Sequence, residues 1–246
     1  MENTKAVDDA IKSRHAVRGF LSKPVPQKVI KEILDVARFA PSNSNTQPWR
    51  VYVVAGERRK ALGNAIVAAH QAQPGSHTAQ YRHFPEPLHG DFLARQNNFA
   101  ADYYGTLGID RTDLAARHAQ LGRNFIFFGA PTGLIFTIDR DLEKGSWLDY
   151  GMFLQSIMIA ARSRGIDSCP QISFAKYHLV IRDHLPIAKH EVVVCGMSLG
   201  YADPSVKVND LRMARESLEA FASFFGYENE TPLVCNPVSE KIHEQA

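Results

Sequence analysis

APSNSNTQPW, at residues 40–49, lies between an amphipathic segment and a short apolar run. Its two prolines constrain the backbone and remove N–H donors, while the consecutive side chains from Ser42 to Gln47 all supply hydrogen-bonding groups. A helix-to-strand connection needs only a few residues, so a loop of this length and polarity indicates a binding loop. The alternative is a solvated turn with Trp49 as its aromatic anchor.

The composition of the chain is that of an ordinary globular protein. Its 246 residues are 45% hydrophobic and 22% charged, with a formal net charge of +2, so nothing indicates nucleic acid or an anionic membrane as a partner. The longest apolar stretch, residues 125–138, is too short and too interrupted by Gly and Pro to span a bilayer. Three widely spaced cysteines without a CxxC pair, and an N-terminal segment without an apolar core, predict a cytoplasmic protein without disulfides.

Hydrophobic periodicity predicts a layered arrangement of helices and a few strands. The apolar runs at 51–55, 133–138 and 192–200 are expected to be buried strands, and residues 168–173 an irregular loop. Because long helices separate these few strands, we expect an α/β or α+β domain. The segments with helical spacing are 4–13, 26–40, 57–71, 92–104, 112–128, 145–164, 174–185 and part of 211–225.

Residues 72–92 differ from their surroundings because prolines, glycines and histidines occur there without periodicity. The spacing of His77, His83 and His89 fits no helical or hairpin pair of metal ligands, and no cysteine or carboxylate cluster accompanies them. We therefore expect no metal site and interpret the segment as a lid or a pocket-lining loop.

Common nucleotide and hydrolase motifs are missing from the sequence. It contains no GxGxxG after a strand, no GxxxxGK[ST] and no GxSxG, which argues against a Rossmann site, a P-loop and a nucleophile elbow. Cys169, before Pro170, is a candidate nucleophile with a histidine as its base, although nothing local activates its thiol. A thiol-dependent hydrolase is therefore one alternative.

The remaining polar groups suit a flat heterocycle that carries a phosphate. Guanidinium groups such as those of Arg14 and Arg18 match phosphate geometry, although they could also be solvated surface arginines. Amide side chains can bind ring edges, and backbone N–H groups can bind a ring nitrogen. FMN combines these features. The contributing positions are 14–18, 41–47, 170–173, 212 and 215.

Four segments, in order along nearly the whole chain, resemble the nitroreductase family of FMN flavoproteins: SRHAVRGF at 13–20, APSNSNTQPW at 40–49, GIDSCPQISF at 165–174 and VNDLRMAR at 208–215. The resemblance implies an α+β fold of three layers, α-β-α, with a mostly antiparallel central sheet flanked by helices. It also implies a single FMN-binding domain over 1–246. A C-terminal arm, residues 203–246, would be exchanged across a homodimer and lie on the partner subunit.

The resemblance also implies a role for each matching position. Arg14 is expected at the FMN phosphate, and Arg18 at the pyrimidine edge near N1 and O2. A cation there would favour reduced flavin by about 1.5–3 kcal/mol, or roughly 30–60 mV. The other implied contacts are His15 and Ala16 through the backbone; Pro41, Ser42, Asn43 and Asn45 from the other subunit; Pro170, Gln171, Ile172 and Ser173 near flavin N5; and Arg215 with Arg212 at the phosphate.

Two positions depart from the pattern of the family. Ala16 replaces a frequent serine and loses one hydroxyl contact, and Asn43 also stands where serine is common. Both leave the FMN assignment in place and change only the individual contacts expected.

The function implied by the resemblance is an NAD(P)H oxidoreductase. It would use FMN to reduce small nitroaromatic substrates by a ping-pong hydride mechanism, with NADH or NADPH as a transient donor and no catalytic side chain. The missing dinucleotide motif agrees with a nicotinamide that visits the acceptor pocket. Quinones, enones or halogenated aromatics as substrates, and a non-catalytic flavin-binding protein, are the alternatives.

Overall fold

The structure, a computed structural model, describes residues 2–73 and 75–227. By its internal contacts the chain divides into two units, Met1–Arg212 and Met213–Ala246. The expected C-terminal arm therefore lies partly outside the described residues. Among the described helices, none combines the length and apolarity needed to cross a bilayer.

Four strands and seven α-helices form the described part of the first unit, and one short helix belongs to the second. The strands are β1 (Arg50–Ala55), β2 (Thr132–Asp139), β3 (Asp167–Gln171) and β4 (Glu191–Gly200). The helices are α1 (Glu2–Ser13), α2 (Gln27–Ala37), α3 (Gly56–Ala72), α4 (Gly90–Thr106), α5 (Leu114–Gly122), α6 (Lys144–Arg162), α7 (His178–His184) and, in the second unit, α8 (Leu218–Phe221). Short 3-10 turns occur at Asn43–Asn45, Phe127–Gly129, Ile172–Tyr177 and Lys207–Asp210.

The strands form one antiparallel sheet in the order β1-β2-β4-β3. β4 is buried along its whole length, as its largely apolar sequence predicts. Beyond β3, Ala16 bridges Ser168 in parallel, and the Val17 amide donates to the Ser168 carbonyl at 3.1 Å. This pairing brings the segment around Arg14 to the edge of the sheet.

Both faces of the sheet are covered, because successive side chains of a strand point in opposite directions. In β2, Leu134 and Phe136 belong to a core cluster that includes Ile33 of α2 and Phe153 of α6. Ile135 belongs to the other cluster, with residues of α3 and α7. The fold is therefore α+β with three layers, and the predicted fold class is confirmed.

The strand predicted at 51–55 is present as β1, but its predicted burial is wrong. β1 lies at the edge of the sheet, where only Val54 is buried while Val53 is 45% exposed. The prediction of a loop at 168–173 is also wrong for most of that segment, since β3 runs through it. β3 tolerates Pro170, which lacks an N–H, because it pairs with only one long strand.

Two predicted helices are shorter than their periodicity suggested. The helix expected at 112–128 ends at Gly122, and a turn with positive φ at Phe127 and Phe128 follows. The segment 174–185 begins as a 3-10 turn before α7. The segment 211–225 is partly helical, as expected, with its helix at Leu218–Phe221.

Candidate functional site

Arg14 and Arg18 converge on the edge of the sheet at β3. Arg14 Nη1 lies 4.0 Å from Met158 Sδ of α6. The Arg18 guanidinium lies over the rings of Tyr103 and Phe99 of α4, 4.9 and 5.4 Å from their centroids. Burial raises the pKa of the Cys169 thiol to about 11, and the nearby charges of Arg18 and Arg14 oppose this rise. Both guanidinium groups therefore lie within electrostatic reach of the same point in β3.

Asn209, which sequence reasoning did not single out, positions the segment that contains Arg18. Its side chain is 5% exposed. Oδ1 accepts from the Arg18 amide at 2.8 Å, and Nδ2 donates to the carbonyls of Gly19 at 2.8 Å and Asp203 at 3.0 Å. Gly19 is needed at this close approach, since a Cβ there would lie 2.6 Å from Val206. The only sequence signal for Asn209 was its place inside the matching segment 208–215.

The two C-terminal arginines hydrogen-bond to nearby backbone carbonyls. Arg212 Nη1 donates to the Asn209 carbonyl at 2.7 Å. Arg215 belongs to the second unit, where its Nη1 donates to the carbonyls of Met213 and Ala214 at 3.0 and 3.1 Å. Their expected role at a phosphate stays a prediction.

The loop at 40–49 has a defined shape and docks on α6. The Asn43 amide donates to Asp149 Oδ2 at 3.1 Å, and Trp49 stacks on Phe153 with centroids 4.6 Å apart. Residues Ser44, Asn45 and Gln47 have positive φ angles of 50°, 57° and 47°, a conformation that is uncommon outside glycine. Trp49 is thus an anchor, as the turn alternative requires, but the strained backbone is typical of a functional loop.

The loop and Arg14 contact α6 at different places. Asp149, which holds the loop, precedes Met158, which contacts Arg14, by nine residues. At the rise of an α-helix these positions lie about 14 Å apart along the axis. The structure therefore brings residues 14–18 to Ser168 and Cys169 of β3, but it holds residues 41–45 further along α6.

Two polar side chains at the end of β3, those of Gln171 and Ser173, differ in their hydrogen bonding. Gln171 is 3% exposed; its Nε2 donates to the Asn124 carbonyl and its Oε1 accepts from Ser198, both at 2.7 Å. Its side chain is thus used by the fold, which leaves only its backbone for a ligand. Ser173 Oγ, in contrast, is buried without a hydrogen-bond partner in the described part of the chain. Such a group is costly unless a ligand satisfies it.

A cavity of about 590 Å³ adjoins this end of β3. Ile172 and Ser173 line one side, and part of the segment 75–86 lines the other. Tyr81 anchors that segment, since its hydroxyl donates to the Val194 carbonyl at 2.5 Å and its ring packs against Trp147. The segment predicted as a lid or pocket-lining loop does line a pocket. In the described residues, no group of His, Cys, Asp or Glu is arranged to hold a metal ion.

The thiol of Cys169 is expected to be inert. It is 2% exposed, and its raised pKa of about 11 keeps it protonated at neutral pH, whereas a nucleophile must be a thiolate. In the native protein at pH 8, iodoacetamide should leave Cys169 unmodified, while the urea-unfolded protein should react. Peptide mass spectrometry measures both, and Cys169→Ser should keep the activity of the wild type within about twofold, as expected for a residue without a chemical role. Rapid native alkylation with loss of activity would instead favour the thiol hydrolase.

Comparison with known proteins assigns the chain to a family. The family model described as "Nitroreductase family" matches residues 11–201. A 4-nitrobenzoate reductase of Pseudomonas putida is 48% identical over 225 residues, which cover 92% of this chain and 98% of that protein. A chloronitrobenzene nitroreductase of Comamonas testosteroni is 46% identical over 224 residues, which cover 91% and 99%.

A solved structure agrees over the same extent. The FMN-dependent nitroreductase NfnB from Mycobacterium smegmatis, in complex with NADPH, superposes with a TM-score of 0.87 at 32% identity and covers 91% of this chain and 99% of its own. The resemblance carried by the four sequence segments is thereby confirmed. The chain belongs to the nitroreductase family.

Proposed function

We propose that this protein is an FMN-dependent NAD(P)H oxidoreductase that reduces nitroaromatic compounds by a ping-pong mechanism. The observation that supports this best is the pair of arginines beside β3, together with the buried, unsatisfied hydroxyl of Ser173. The close relatives named as nitroreductases and the FMN-dependent structural neighbour support the same activity.

The residues at β3 fit the chemical groups of FMN. Arg14 would bind the phosphate, and Arg18, held over two aromatic rings, would direct positive charge at the pyrimidine edge. The His15 ring nitrogen Nδ1 lies 3.0 Å from the Ser13 carbonyl, so His15 would contact the cofactor through its backbone. Ala16 would contact it through its amide, because its carbonyl accepts from Arg18 Nη1 at 3.4 Å. When bound, FMN supplies hydride acceptance from NAD(P)H and hydride transfer to the nitro compound.

The segment 170–173 would hold the edge of the flavin that exchanges hydride. Ser173 Oγ would gain the hydrogen bond that it lacks in the fold, while Pro170, Gln171 and Ile172 would contribute backbone and van der Waals contacts. Arg212 and Arg215 would complete the phosphate site. Because no side chain in this set is needed as an acid or base, we assign no catalytic side chain.

The proposal includes a homodimer. In it, Pro41, Ser42, Asn43 and Asn45 of the partner subunit would reach the FMN site, as parts of one domain over 1–246. Residues 203–209 of the predicted arm 203–246 bond to residues 18–19 of their own chain, so only the part of the arm that follows Asn209 would lie on the partner. The separation of about 14 Å between the two contact points on α6 supports a loop that acts in trans. We also propose a cytoplasmic location, on the basis of the cysteine pattern.

Sedimentation velocity of the FMN-loaded protein should therefore show a dimer across the micromolar range. Dilution into the monomer range should release FMN, because each site would lose the partner's loop. Free FMN, followed by its recovered fluorescence, should appear together with the monomer. A monomer that retains FMN would contradict the shared site.

The proposed activity is tested by visible absorption of the purified protein. We expect flavin bands that bleach when NADH or NADPH is added without oxygen and return when a nitroarene is added. Flavin that neither donor bleaches would indicate a non-catalytic flavin carrier, and failure to bind added FMN would overturn the proposal. A panel of quinones, enones and halogenated aromatics separates the other acceptors.

The named relatives differ in the charge of their nitroaromatic substrates. The two relatives named above are a reductase of 4-nitrobenzoate, which is an anion, and a reductase of chloronitrobenzene, which is neutral.

A further inference from the structure

The cavity beside Ile172 and Ser173 has an unusual charge distribution. Two permanent cations, Arg82 and Lys176, line it, and the only carboxylate among its lining residues is Glu86. In the described part of the chain, neither cation forms a salt bridge. Both positive charges therefore remain available to a ligand in the cavity.

Two histidines near the Lys176 side of the cavity have lowered pKa values. Burial is the main cause that lowers the pKa of His70, and charge repulsion from His118, His77 and Lys176 lowers it further. The pKa of His178 is also lowered, mainly by burial and further by the nearby Arg182 and His77. The lowered pKa shifts both imidazoles toward their neutral form, so the permanent positive charges at the cavity are those of Arg82 and Lys176.

The rest of the wall suits an aromatic ring. Phe84, Ile172 and Ala175 provide apolar surface, and the volume of about 590 Å³ is within the range of small-molecule sites. Ile172 and Ser173 also belong to the segment assigned to the flavin edge. A ring in this cavity would therefore lie between that edge and the two cations.

We propose that this cavity is an acceptor subsite in which Arg82 and Lys176 bind the oxyanion of a negatively charged nitroaromatic, such as a nitroarene carboxylate. The inference rests on the proposed function, whose acceptor class it narrows. Guanidinium and ammonium groups form charge-assisted hydrogen bonds with carboxylates. The subsite selects the anionic substrate without taking part in hydride transfer.

The test compares 4-nitrobenzoate with nitrobenzene, which lacks the carboxylate. In Arg82→Gln and in Lys176→Gln, kcat/KM for 4-nitrobenzoate should fall about fivefold, and in the double variant about twentyfold, as for partly exposed charge-assisted bonds. The value for nitrobenzene should change less than about twofold in each variant, as for a substrate without a charge to lose. Arg58→Gln and Lys31→Gln, which remove exposed charges from α3 and α2 outside the cavity lining, should change neither value.

Three kinetic results would overturn the subsite. Equal losses for both substrates would mean that the cations support the fold or the flavin, and no loss would mean that they bind nothing. If kcat/KM for NADPH falls while kcat/KM for NADH is unchanged, the two cations would be assigned to the 2′-phosphate of the donor. Calorimetric binding of 4-nitrobenzoate to the wild type and the double variant, without a donor, separates this inference from the proposed function. Weakened binding in the double variant supports the subsite even if the protein does not reduce the compound, whereas unchanged binding overturns it.

Discussion

Arg14→Ala is expected to raise the Kd for FMN by about 10- to 100-fold, which corresponds to the loss of one charge-assisted contact with the phosphate. The side chain is half-buried between α6 and β3, where Met158 limits its freedom and Cys169 lies within reach of its charge. A guanidinium group held in place before the ligand arrives loses little entropy on binding. The effect should therefore exceed that of removing an exposed arginine.

Fluorescence titration of the flavin-free protein with FMN measures this change. Arg14→Lys, which keeps the charge but loses the planar fork, should give an intermediate Kd. Arg58→Ala, on the exposed surface of α3, should bind as the wild type does. Thermal melting shows whether each variant is folded. A folded Arg14→Ala protein with unchanged affinity would show that the phosphate lies elsewhere.

The sequence predicted best the elements whose burial follows from local pattern. β4 is apolar apart from Glu191 and Ser198 and is buried throughout, and the interior of α2 is apolar at helical spacing. An apolar run does not reveal its place in a sheet, however. The run at 51–55 resembles a central strand, but β1 has a neighbour on one side only, and the order of strands depends on contacts between distant segments.

Other differences arise because tertiary packing overrides local preference. Phe125, Phe127 and Phe128 would continue an amphipathic helix, but all three are buried in one cluster, and the backbone turns with positive φ to place them there. Gly133 accommodates this turn, since a Cβ there would lie 2.3 Å from the Phe127 ring. No local pattern indicates such a fit between residues of separate elements.

The candidate site likewise combines features that local sequence predicts with contacts that it does not reveal. Polarity and proline content identified the loop at 40–49, and the motif resemblance identified Arg14 and Arg18. Neither revealed that the Gln171 side chain is bound by Asn124 and Ser198. Hydrogen-bond partners far apart in sequence are visible only in three dimensions, and the amide of Asn209, which bonds to residues about 190 positions earlier, is the strongest example.

Asn209→Ala is expected to lower the free energy of unfolding by about 2–4 kcal/mol, because a buried amide with three partners is lost. The Arg18 amide would lose its partner, and the carbonyls of Gly19 and Asp203, which also accept from the amides of Asp203 and Val206, would each lose one of two bonds. Since the backbone at Arg18 would no longer be held, affinity for FMN should also fall, by about tenfold if one charge-assisted contact is misplaced. Urea denaturation and FMN titration measure the two effects separately.

Asn64→Ala, at an exposed position of α3, is the matched control and should change stability by less than about 0.5 kcal/mol. Asn209→Asp keeps the acceptor for the Arg18 amide but replaces the Nδ2 donor with an oxygen that faces the carbonyls of Gly19 and Asp203. It should therefore be destabilised as strongly as the alanine variant, since a buried carboxylate beside two acceptors is unfavourable. Wild-type stability in both Asn209 variants would show that the 18–19 segment is held by its backbone bonds to β3 and to residues 201–203. In that case these backbone bonds, rather than the side chain of Asn209, would set the position of Arg18.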